Sequence, residues 1–467
     1  MSSRSAPPWQ LLAADQNNSQ YWFEQFNETL STMQATYWVN AYWPSTLQWI
    51  NAFLSTLLSA SGIMLSMIND TSVYGTTTAS LHNAINDIYQ DINQFYPNED
   101  TTQIFGAAYD DAQWVVLEWL EAIRLIRRSS QAGVATSGAD MASFAHRAHI
   151  FYNIVQNEFN LSLCEGGLTW DPAKTTYKNA ITNELFVASS AAMFLYWPGD
   201  NDTSPYPSTT YNKTLDPLPY LSKHDNLLLS NAEKAYDWIK NHNFTNSQGL
   251  LVDGYHVSAN QTTCDMRVET VYTYNQGVLL SGLRELWLAT GNQDYLASGY
   301  SLVDVVINAT GWLGSDANST SDWAGLGRHG IMEDTCDVYS NCTQDAQIFK
   351  GVYFHHLSQF CQPLPTSNAT YGGTTDSNIA QQHRQTCAGY ASWVAYNAAA
   401  ALSTKNSTGI IGGWWAANYA GHQNSSLVPA NGTDPNTLGR GRTVETHASG
   451  VSVVKAALDF DLWQRLS

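Results

Sequence analysis

The sequence predicts an all-α fold, an (α/α)6 barrel of about twelve helices in one domain over residues 1–467, with short β-hairpin loops. Apolar residues recur at the three- and four-residue spacing of helices along most of the chain. The stretches between them are rich in Gly, Pro, Ser and Asn, and they lack the alternating β-branched runs of a sheet protein. Helices paired in antiparallel order close into a double ring, and their ends and long loops frame one cleft.

The predicted helices follow one another without an exact repeat or a linker that marks a domain boundary. Short extended pieces are predicted only at Gly249–Val257 and Gly409–Trp415. The helices are placed near residues 19–38, 45–69, 76–95, 108–128, 138–158, 174–196, 217–242, 272–291, 294–309, 344–360, 375–403 and 443–458.

The second of these helices imitates a membrane span. No charged residue lies between Thr29 and Asn69, and Leu47–Ile68 is long enough to cross a bilayer. Polar residues are interspersed among its apolar positions, however, and glycosylation tripeptides at Asn27 and Asn69 flank it. A single span cannot place both flanks in the same lumen. We therefore expect a buried helix and no transmembrane segment.

The composition excludes several classes of protein. The chain carries 21 Lys and Arg against 40 Asp and Glu, a formal net charge of -19, so nucleic acid and anionic membrane surfaces would be repelled. Only 13% of residues are charged, but 44% are hydrophobic, which excludes global disorder.

Glycosylation tripeptides offer a reason why a chain with so few charges stays in solution. Their spread over the whole length predicts a secreted glycoprotein of the extracellular space or cell wall. The fifteen N-x-S/T tripeptides begin at Asn17, Asn27, Asn69, Asn160, Asn201, Asn212, Asn243, Asn260, Asn308, Asn318, Asn341, Asn368, Asn406, Asn424 and Asn431.

The six cysteines agree with a secreted chain, because they are even in number and contain no CxxC pair. Among fifteen possible connectivities, we favour the local pairs Cys336 with Cys342 and Cys361 with Cys387, which leaves Cys164 with Cys264. The alternative is a cytosolic protein with buried free thiols.

The sequence feature with the most chemical content is Asp110-Asp111, where a polar loop gives way to a strong helix. Acidic residues at a helix start are ordinarily explained by the free N–H groups and the dipole there. The functional alternative is that two close carboxyl groups cannot both ionise easily, which produces an acid beside a nucleophile. Retaining glycosidases need such a pair about 5–5.5 Å apart.

Other residues support a carbohydrate site. The chain has 17 Trp and 25 Tyr, and exposed aromatic faces beside amides and carboxylates suit sugar rings and their hydroxyls. Gly325–Gly330 matches GxGxxG without the strand and helix of a nucleotide site. His355 and His356 point to different faces of one predicted helix. We therefore expect no metal and no cofactor.

Several stretches together resemble glycoside hydrolase family 76, the α-1,6-mannanases and their fungal wall-remodelling relatives. They occur in family order across about residues 100–400, and the ordered set is far more specific than one Asp-Asp pair. The stretches are Ala108–Trp114, Cys164–Trp170 with Tyr177-Lys-Asn179, Gly249–Gly254, Cys264 with Val271–Gly277, Phe349-Lys-Gly351 and Tyr396-Asn-Ala398.

The resemblance implies an (α/α)6 barrel and retaining hydrolysis of α-1,6-mannosidic bonds. It implies Asp110 as the nucleophile and Asp111 as the general acid/base. Together with their chemistry, it predicts as substrate-binding residues Trp170, Asn179, Asp253, Tyr274, Asn275, Gln276 and Lys350.

The predicted function is a secreted, monomeric, endo-acting α-1,6-mannanase whose partner is α-1,6-mannan or a related mannose-containing glycan. One alternative is a transglycosylase that acts on the mannose core glycan of lipid-anchored wall proteins with the same residues. Such relatives commonly carry a C-terminal apolar anchor signal, and Leu462–Ser467 has none, which favours the soluble hydrolase. A third alternative is a non-catalytic, mannan-binding wall protein.

Overall fold

The computed structural model describes residues 19–95, 108–201, 207–208, 213–214, 218–314, 322–365, 376–419 and 433–465. The fold is mostly helical, as predicted. Thirteen α-helices lie in these ranges: α1 (Ser19–Tyr37), α2 (Gln48–Leu65), α3 (Thr78–Gln94), α4 (Tyr109–Gln131), α5 (Gly138–Val155), α6 (Ala180–Tyr196), α7 (Asn226–Asn241), α8 (Thr273–Thr290), α9 (Gln293–Ala309), α10 (Phe349–Cys361), α11 (Ser377–Ala388), α12 (Ala391–Leu402) and α13 (Val444–Arg465).

The helices alternate between an inner and an outer ring. In the inner ring, α2, α4, α6, α8, α10 and α13 each pack on the next, and α13 returns to α2 to close the circle. In the outer ring, α3, α5, α7 and α9 each pack on the inner helix that precedes them, whereas α1 and α12 pack on α13. This arrangement confirms the predicted (α/α)6 barrel.

The sequence explains which helices are inside. All residues of α2 after Gln48 are buried, so the uncharged segment that imitates a membrane span is an inner-ring helix. The outer helix α3 instead buries one stripe at helical spacing, including Leu81, Ile85, Ile88 and Ile92. Among the described helices, none has the length and apolar character that crossing a membrane requires.

The predicted helix 375–403 is wrong in one respect, because it is two helices interrupted at Gly389 and Tyr390. The two halves have different partners: α11 packs on α10, and α12 packs on α13. Cys387 near the end of α11 is bonded to Cys361 at the end of α10. Tertiary contacts therefore break a helical pattern that the sequence carries without interruption.

Three predicted helix starts are too early. Helix α10 begins at Phe349 rather than near 344, because a short 3₁₀ turn at Asp345–Gln347 precedes it. Helix α7 begins at Asn226 rather than near 217, because the side chain of Asp225 caps it by accepting a hydrogen bond from the backbone N–H of Leu227 at 3.0 Å. Helix α6 begins at Ala180 rather than near 174, because a strand precedes it.

The described residues contain seven short strands, more than the two predicted extended pieces. The segment Gly249–Val257 contains one strand, whereas Gly409–Trp415 contains none. The strands are β1 (Tyr177–Asn179), β2 (Pro207–Ser208), β3 (Lys213–Thr214), β4 (Gly254–His256), β5 (Met266–Val268), β6 (Gly327–Arg328) and β7 (Ile331–Met332).

The largest of the three sheets positions residues of the cleft described below. It is antiparallel with the order β1-β4-β5, and its register pairs Asn179 with Gly254 and Gly254 with Val268. This pairing places Asn179 beside Asp253, although 74 residues separate them in sequence. Strands β2 and β3, and strands β6 and β7, form separate antiparallel pairs.

The three predicted disulfides are confirmed: Cys164–Cys264, Cys336–Cys342 and Cys361–Cys387. The first joins the loop before β1 to the loop before β5, across 100 residues of chain. The second closes a small loop that leads into α10. No cysteine of the chain is left free.

Candidate active site

A cleft of about 990 Å³ opens at the end of the barrel where the inner helices begin. Residues at or just before the starts of α2, α4, α6, α8 and α10 line it, so the helices deliver their N-terminal turns to one place. Its lining residues are Thr46, Leu47, Gln48, Trp49, Ala108, Asp110, Asp111, Trp114, Trp170, Tyr177, Asn179, Asp253, Thr270, Tyr272, Tyr274, Thr335, Cys336, Tyr339, Asn341, Thr343, Asp345, Ala346 and Phe349.

Asp110 and Asp111 occupy the first turn of α4 and both face the cleft. The backbone N–H of Asp111 donates to Oδ1 of Asp110 at 3.1 Å. The backbone N–H of Tyr109 donates to the carbonyl of Trp170 at 2.8 Å, which ties the start of the helix to the opposite loop. The helix dipole further stabilises negative charge here.

The environment raises the pKa of both carboxyl groups. Burial, together with the charge of Asp111, raises the pKa of Asp110 well above its ordinary value. Burial and the nearby carboxylate of Asp345 raise the pKa of Asp111 to about 7. Because the two groups interact, they titrate as a pair.

Hydrogen bonds distinguish the two members of the pair. The backbone N–H of Asp111 and the side chain of Trp170 both lower the pKa of Asp110, because they bind its ionised form. Asp111 instead faces a third negative group, Asp345. These hydrogen bonds offset only part of the effect of burial and of the Asp111 charge, which together raise the pKa of Asp110.

Asp345 is a cleft carboxylate that the sequence analysis did not single out. It lies just before α10, and its Oδ1 accepts a hydrogen bond from the indole N–H of Trp49 at 2.9 Å. Trp49 stands at the start of α2, so this bond joins two inner helices across the cleft.

A cluster of polar side chains surrounds Asp253. The hydroxyl of Tyr177 donates a short hydrogen bond to its carboxylate. Burial raises the pKa of Asp253, whereas Tyr177 and Asn275 lower it. Oδ1 of Asn179 and both amide atoms of Asn275 are buried without a hydrogen-bond partner of standard geometry. Such atoms carry a desolvation cost that a ligand hydroxyl can remove.

Aromatic rings form much of the remaining wall. Tyr274 and Phe349 stack with 3.8 Å between ring centroids and 5° between planes. Trp49 and Trp114 stack at 5.4 Å. Flat apolar faces beside hydroxyl, amide and carboxylate groups match the two kinds of surface on a sugar ring.

Lys178 of β1 fixes the loop that carries Trp170. The buried ammonium of Lys178 donates to the carbonyls of Gly167 at 2.7 Å and Asn160 at 3.1 Å. Burial lowers the pKa of Lys178 to about 8. The disulfide from Cys164 fixes the same loop, so the side chain of Trp170 reaches Asp110 from a rigid support.

The structure brings most of the predicted site residues to this cleft. Those that line it are Asp110, Asp111, Trp170, Asn179, Asp253 and Tyr274. Asn275 lies directly behind, where it influences the pKa of Asp253.

Gln276 and Lys350 are not among the lining residues. The side chain of Gln276 exchanges hydrogen bonds with the backbone of Leu251, at 2.8 and 2.9 Å, and so holds the segment that precedes Asp253. The ammonium of Lys350 makes a buried ion pair with Asp337 at 2.5 Å. Asp337 lies in the disulfide loop that supplies Tyr339 to the cleft.

Five residues line the cleft without having been predicted as site residues: Trp49, Trp114, Tyr272, Tyr339 and Asp345. They share a position in the chain, because each stands near the start of an inner helix or in the loop before one. This position identifies site residues only when the inner helices are known.

Among the described residues, the one grouping that resembles a metal site is Cys336, Asp337 and Cys342, whose two sulfurs form a disulfide.

Asp111→Asn is expected to raise Tm by a few degrees at pH 8 and to leave it nearly unchanged at pH 4. The folded protein holds the Asp111 proton up to about pH 7, whereas the unfolded chain releases it near pH 4, so this carboxyl group lowers stability as pH rises between those values. Thermal unfolding at both pH values measures the difference. Asp294→Asn, at an exposed site in the first turn of α9, is the control and should give no such difference. A lower Tm for Asp111→Asn at pH 8 would contradict the account.

Comparison with known sequences also indicates a glycoside hydrolase. Residues 218–427 match the sequence model of glycosyl hydrolase family 76. The mannan endo-1,6-alpha-mannosidase DFG5 of Saccharomyces cerevisiae is 22% identical over 212 residues, which are 44% of this chain and 37% of that protein. A Schizosaccharomyces pombe protein provisionally named for the same activity is 25% identical over 236 residues, 49% of this chain and 44% of that protein. The chain thus spans less than half the length of these relatives.

Solved structures show the same fold. An inactive variant of the alpha-1,6-mannanase of Salegentibacter sp., in complex with alpha-1,6-mannotetrose, matches with a TM-score of 0.58 and 16% identity, over 94% of this chain and 99% of that one. Dfg5 from Chaetomium thermophilum, in complex with glucosamine, matches with a TM-score of 0.59 and 15% identity, over 95% and 90%.

A helical double ring with a carboxylate pair in an aromatic-lined cleft defines a barrel of the glycoside hydrolase class. The sequence matches indicate one family of this class. Residues 218–427 match glycosyl hydrolase family 76, in agreement with the resemblance carried by the motifs of the chain.

Proposed function

We propose that this protein is a retaining, endo-acting α-1,6-mannanase that hydrolyses α-1,6-linked mannan backbones by double displacement. The observation that carries the proposal is the placement of Asp110 and Asp111 side by side in the cleft, where burial raises the pKa of both carboxyl groups. They are the only two adjacent aspartates in the sequence. The inactive Salegentibacter variant has two consecutive aspartates replaced and still forms a complex with alpha-1,6-mannotetrose.

In the first step, Asp111 donates its proton to the glycosidic oxygen while the Asp110 carboxylate attacks the anomeric carbon. The bond to the leaving sugar breaks as the bond to Asp110 forms, which gives a covalent mannosyl-enzyme. The raised pKa of Asp111 supplies a protonated acid at mildly acidic pH, and the donors to Asp110 favour the ionised form that attacks the anomeric carbon.

In the second step, Asp111 is an anion and acts as the general base. It takes a proton from water, the hydroxide oxygen bonds to the anomeric carbon, and Asp110 leaves as a carboxylate. Asp345 raises the proton affinity of Asp111, so it favours recovery of the acid form after each cycle. Asp253 and the unpartnered amide oxygen of Asn179 would bind mannose hydroxyls, Asn275 would support Asp253 from behind, and the stack of Tyr274 on Phe349 would support the ring face.

The test is product analysis by mass spectrometry with linear α-1,6-mannan and α-1,6-mannotetraose, and with β-1,4-mannan as the linkage control. We expect shorter oligosaccharides from the α-1,6 substrates alone. Methyl α-mannoside added as an acceptor separates the alternatives, because a transglycosylase would convert it into a larger glycoside in preference to hydrolysis. Binding of mannotetraose without turnover would favour the non-catalytic wall protein.

We further propose that the enzyme is a secreted, monomeric glycoprotein of the cell wall and that its single catalytic domain covers residues 1–467. The three disulfides agree with an oxidising compartment. None of the asparagines that begin the described tripeptides is buried, so glycans could be attached at each of them: Asn27, Asn69, Asn160, Asn201, Asn243, Asn260, Asn308, Asn341 and Asn406.

Trp170→Phe is expected to lower kcat by about 10- to 100-fold, because a hydrogen bond to a charged group contributes about 1.5–3 kcal/mol. Phe retains most of the ring but cannot donate to Asp110, so KM should change less than kcat. Steady-state kinetics on mannotetraose measure the split. Trp323→Phe, at a half-exposed tryptophan outside the cleft, is the control. An unchanged kcat in Trp170→Phe would show that the indole N–H is dispensable.

A further inference from the structure

A second cavity, of about 350 Å³, lies at the opposite end of the barrel, where inner helices end. Four of the twelve arginines in the sequence line it, in a chain whose net charge is -19. They are Arg124, Arg127 and Arg128 near the end of α4, and Arg284 in the last part of α8. This concentration of positive charge contrasts with the acidic composition of the whole chain.

Two of the arginines are fixed in place. The guanidinium of Arg284 donates to the carbonyls of Phe360 at 3.3 Å, Gln362 at 2.7 Å and Pro363 at 3.1 Å. Arg124 pairs with Glu121 at 2.6 Å and donates to the side chain of Gln362 at 3.2 Å. Three carbonyl acceptors orient Arg284 without neutralising its charge.

The other two arginines have no acidic partner within the described part of the chain. Arg128 donates only to the amide oxygen of Gln131, at 3.2 Å. Arg127 makes neither an ion pair nor a side-chain hydrogen bond there, and burial lowers its pKa. Burial, together with the positive charges of Lys223 and Arg127, lowers the pKa of His224 as well. Two half-buried guanidinium groups thus remain available at the cavity.

The charges of this cavity do not balance. Against the four arginines, the described part of the chain places two acids nearby, Glu121 and Glu285. Burial raises the pKa of Glu285 to about 8, so this carboxyl group is neutral at acidic and neutral pH, and its Oε2 has no hydrogen-bond partner. Glu121 alone leaves about three positive charges uncompensated around one cavity.

The helix dipole accounts for part of this pattern. Arg128 lies in the last turn of α4, where a cation offsets the negative end of the helix. That effect is confined to the last turn and is worth about 0.3–1 kcal/mol per cation. It explains neither Arg284, which comes from another helix, nor the convergence of four guanidinium groups on one cavity.

We propose that this cavity is an anion site that binds a phosphate group, supplied either by a soluble phosphate ester or by the headgroup of a lipid. Guanidinium forks match the oxygen geometry of phosphate and bind it through paired, charge-assisted hydrogen bonds. Arg127 and Arg128 supply the free donors, and Arg284 supplies fixed charge behind them. The cavity lies at the far end of the barrel from the cleft, so this site does not depend on the proposed hydrolase activity.

The experiment measures binding to the intact protein at pH 6 and low ionic strength. Isothermal titration with inorganic phosphate and with glycerol 3-phosphate forms one arm. Sedimentation with phosphatidylcholine vesicles, with and without phosphatidic acid, forms the other. Binding in the titration arm assigns a soluble ester, and binding only to phosphatidic acid vesicles assigns a lipid headgroup. Arg127→Gln combined with Arg128→Gln should weaken the observed binding at least about tenfold.

Arg465→Gln is the matched control, because it removes one exposed positive charge at the end of α13. Its binding should equal that of the unsubstituted protein. Thermal unfolding should show that the double variant is folded, since Arg127 and Arg128 are half-exposed. The proposal is overturned if neither arm shows binding, or if the folded double variant binds as strongly as Arg465→Gln.

Discussion

Asp110→Asn should reduce kcat on α-1,6-mannotetraose by roughly 10⁴-fold or more, in line with the loss of a covalent nucleophile. Asn has nearly the same shape but cannot form the glycosyl ester, so no mannosyl-enzyme accumulates. The variant should remain folded, because the substitution removes a carboxyl group whose charged form burial penalises. Binding of mannotetraose should persist, because the rest of the cleft is unchanged.

The matched control is Asp294→Asn, which removes an acidic residue from the first turn of the outer helix α9. Both variants lose one charge at a helix start, so any effect of the helix dipole on stability is common to them. Reducing-end release should be normal in the control and absent in Asp110→Asn. Equal release from the two variants would remove Asp110 from the mechanism.

The second large effect concerns pH. We expect kcat/KM to fall about tenfold per pH unit above pH 7, because Asp111 must carry a proton to act as the acid and its pKa is about 7. Asp345 contributes to this value through its charge, so Asp345→Asn should move the alkaline limb to lower pH. A pH profile of kcat/KM from pH 4 to 9 measures both.

Asp111→Asn provides the complementary result. Its residual activity, lower by about 10²- to 10⁴-fold, should lack the alkaline limb near pH 7. A substrate with an activated leaving group, such as an aryl α-mannoside, should recover part of the first step, because it needs no proton from the enzyme. An unchanged alkaline limb in Asp111→Asn would assign the acid to another residue.

The architecture was predictable because helical periodicity survives in both rings. Inner helices such as α2 are buried on all sides, and outer helices such as α3 are buried on one stripe, but the apolar residues of both keep the helical spacing. The disulfides followed because two pairs are close in sequence. What the pattern could not provide was the break at Gly389, since the partners of α11 and α12 decide it.

The short strands escaped prediction for a related reason. Each has only two or three residues, too few for an alternating pattern, and β1 forms because β4 lies beside it. That pairing is what brings Asn179 to Asp253. Asp345 and Trp49 were missed because neither belongs to a recognisable motif, and only the closed ring of inner helices brings them together.

Lys350 and Gln276 show the limit of transferring site residues by motif. Both stand in motif stretches near the cleft, but their side chains point to backbone or to Asp337. We interpret them as positioning residues, because each holds a segment that carries a cleft side chain.

The most direct test of the central account is the anomeric configuration of the first product. Proton NMR during hydrolysis of α-1,6-mannotetraose, recorded before the sugars equilibrate, reports which anomer forms at the new reducing end. Double displacement through Asp110 predicts that the α anomer appears first and that β accumulates later by mutarotation. Initial appearance of the β anomer would mean single displacement by water and would contradict a covalent role for Asp110.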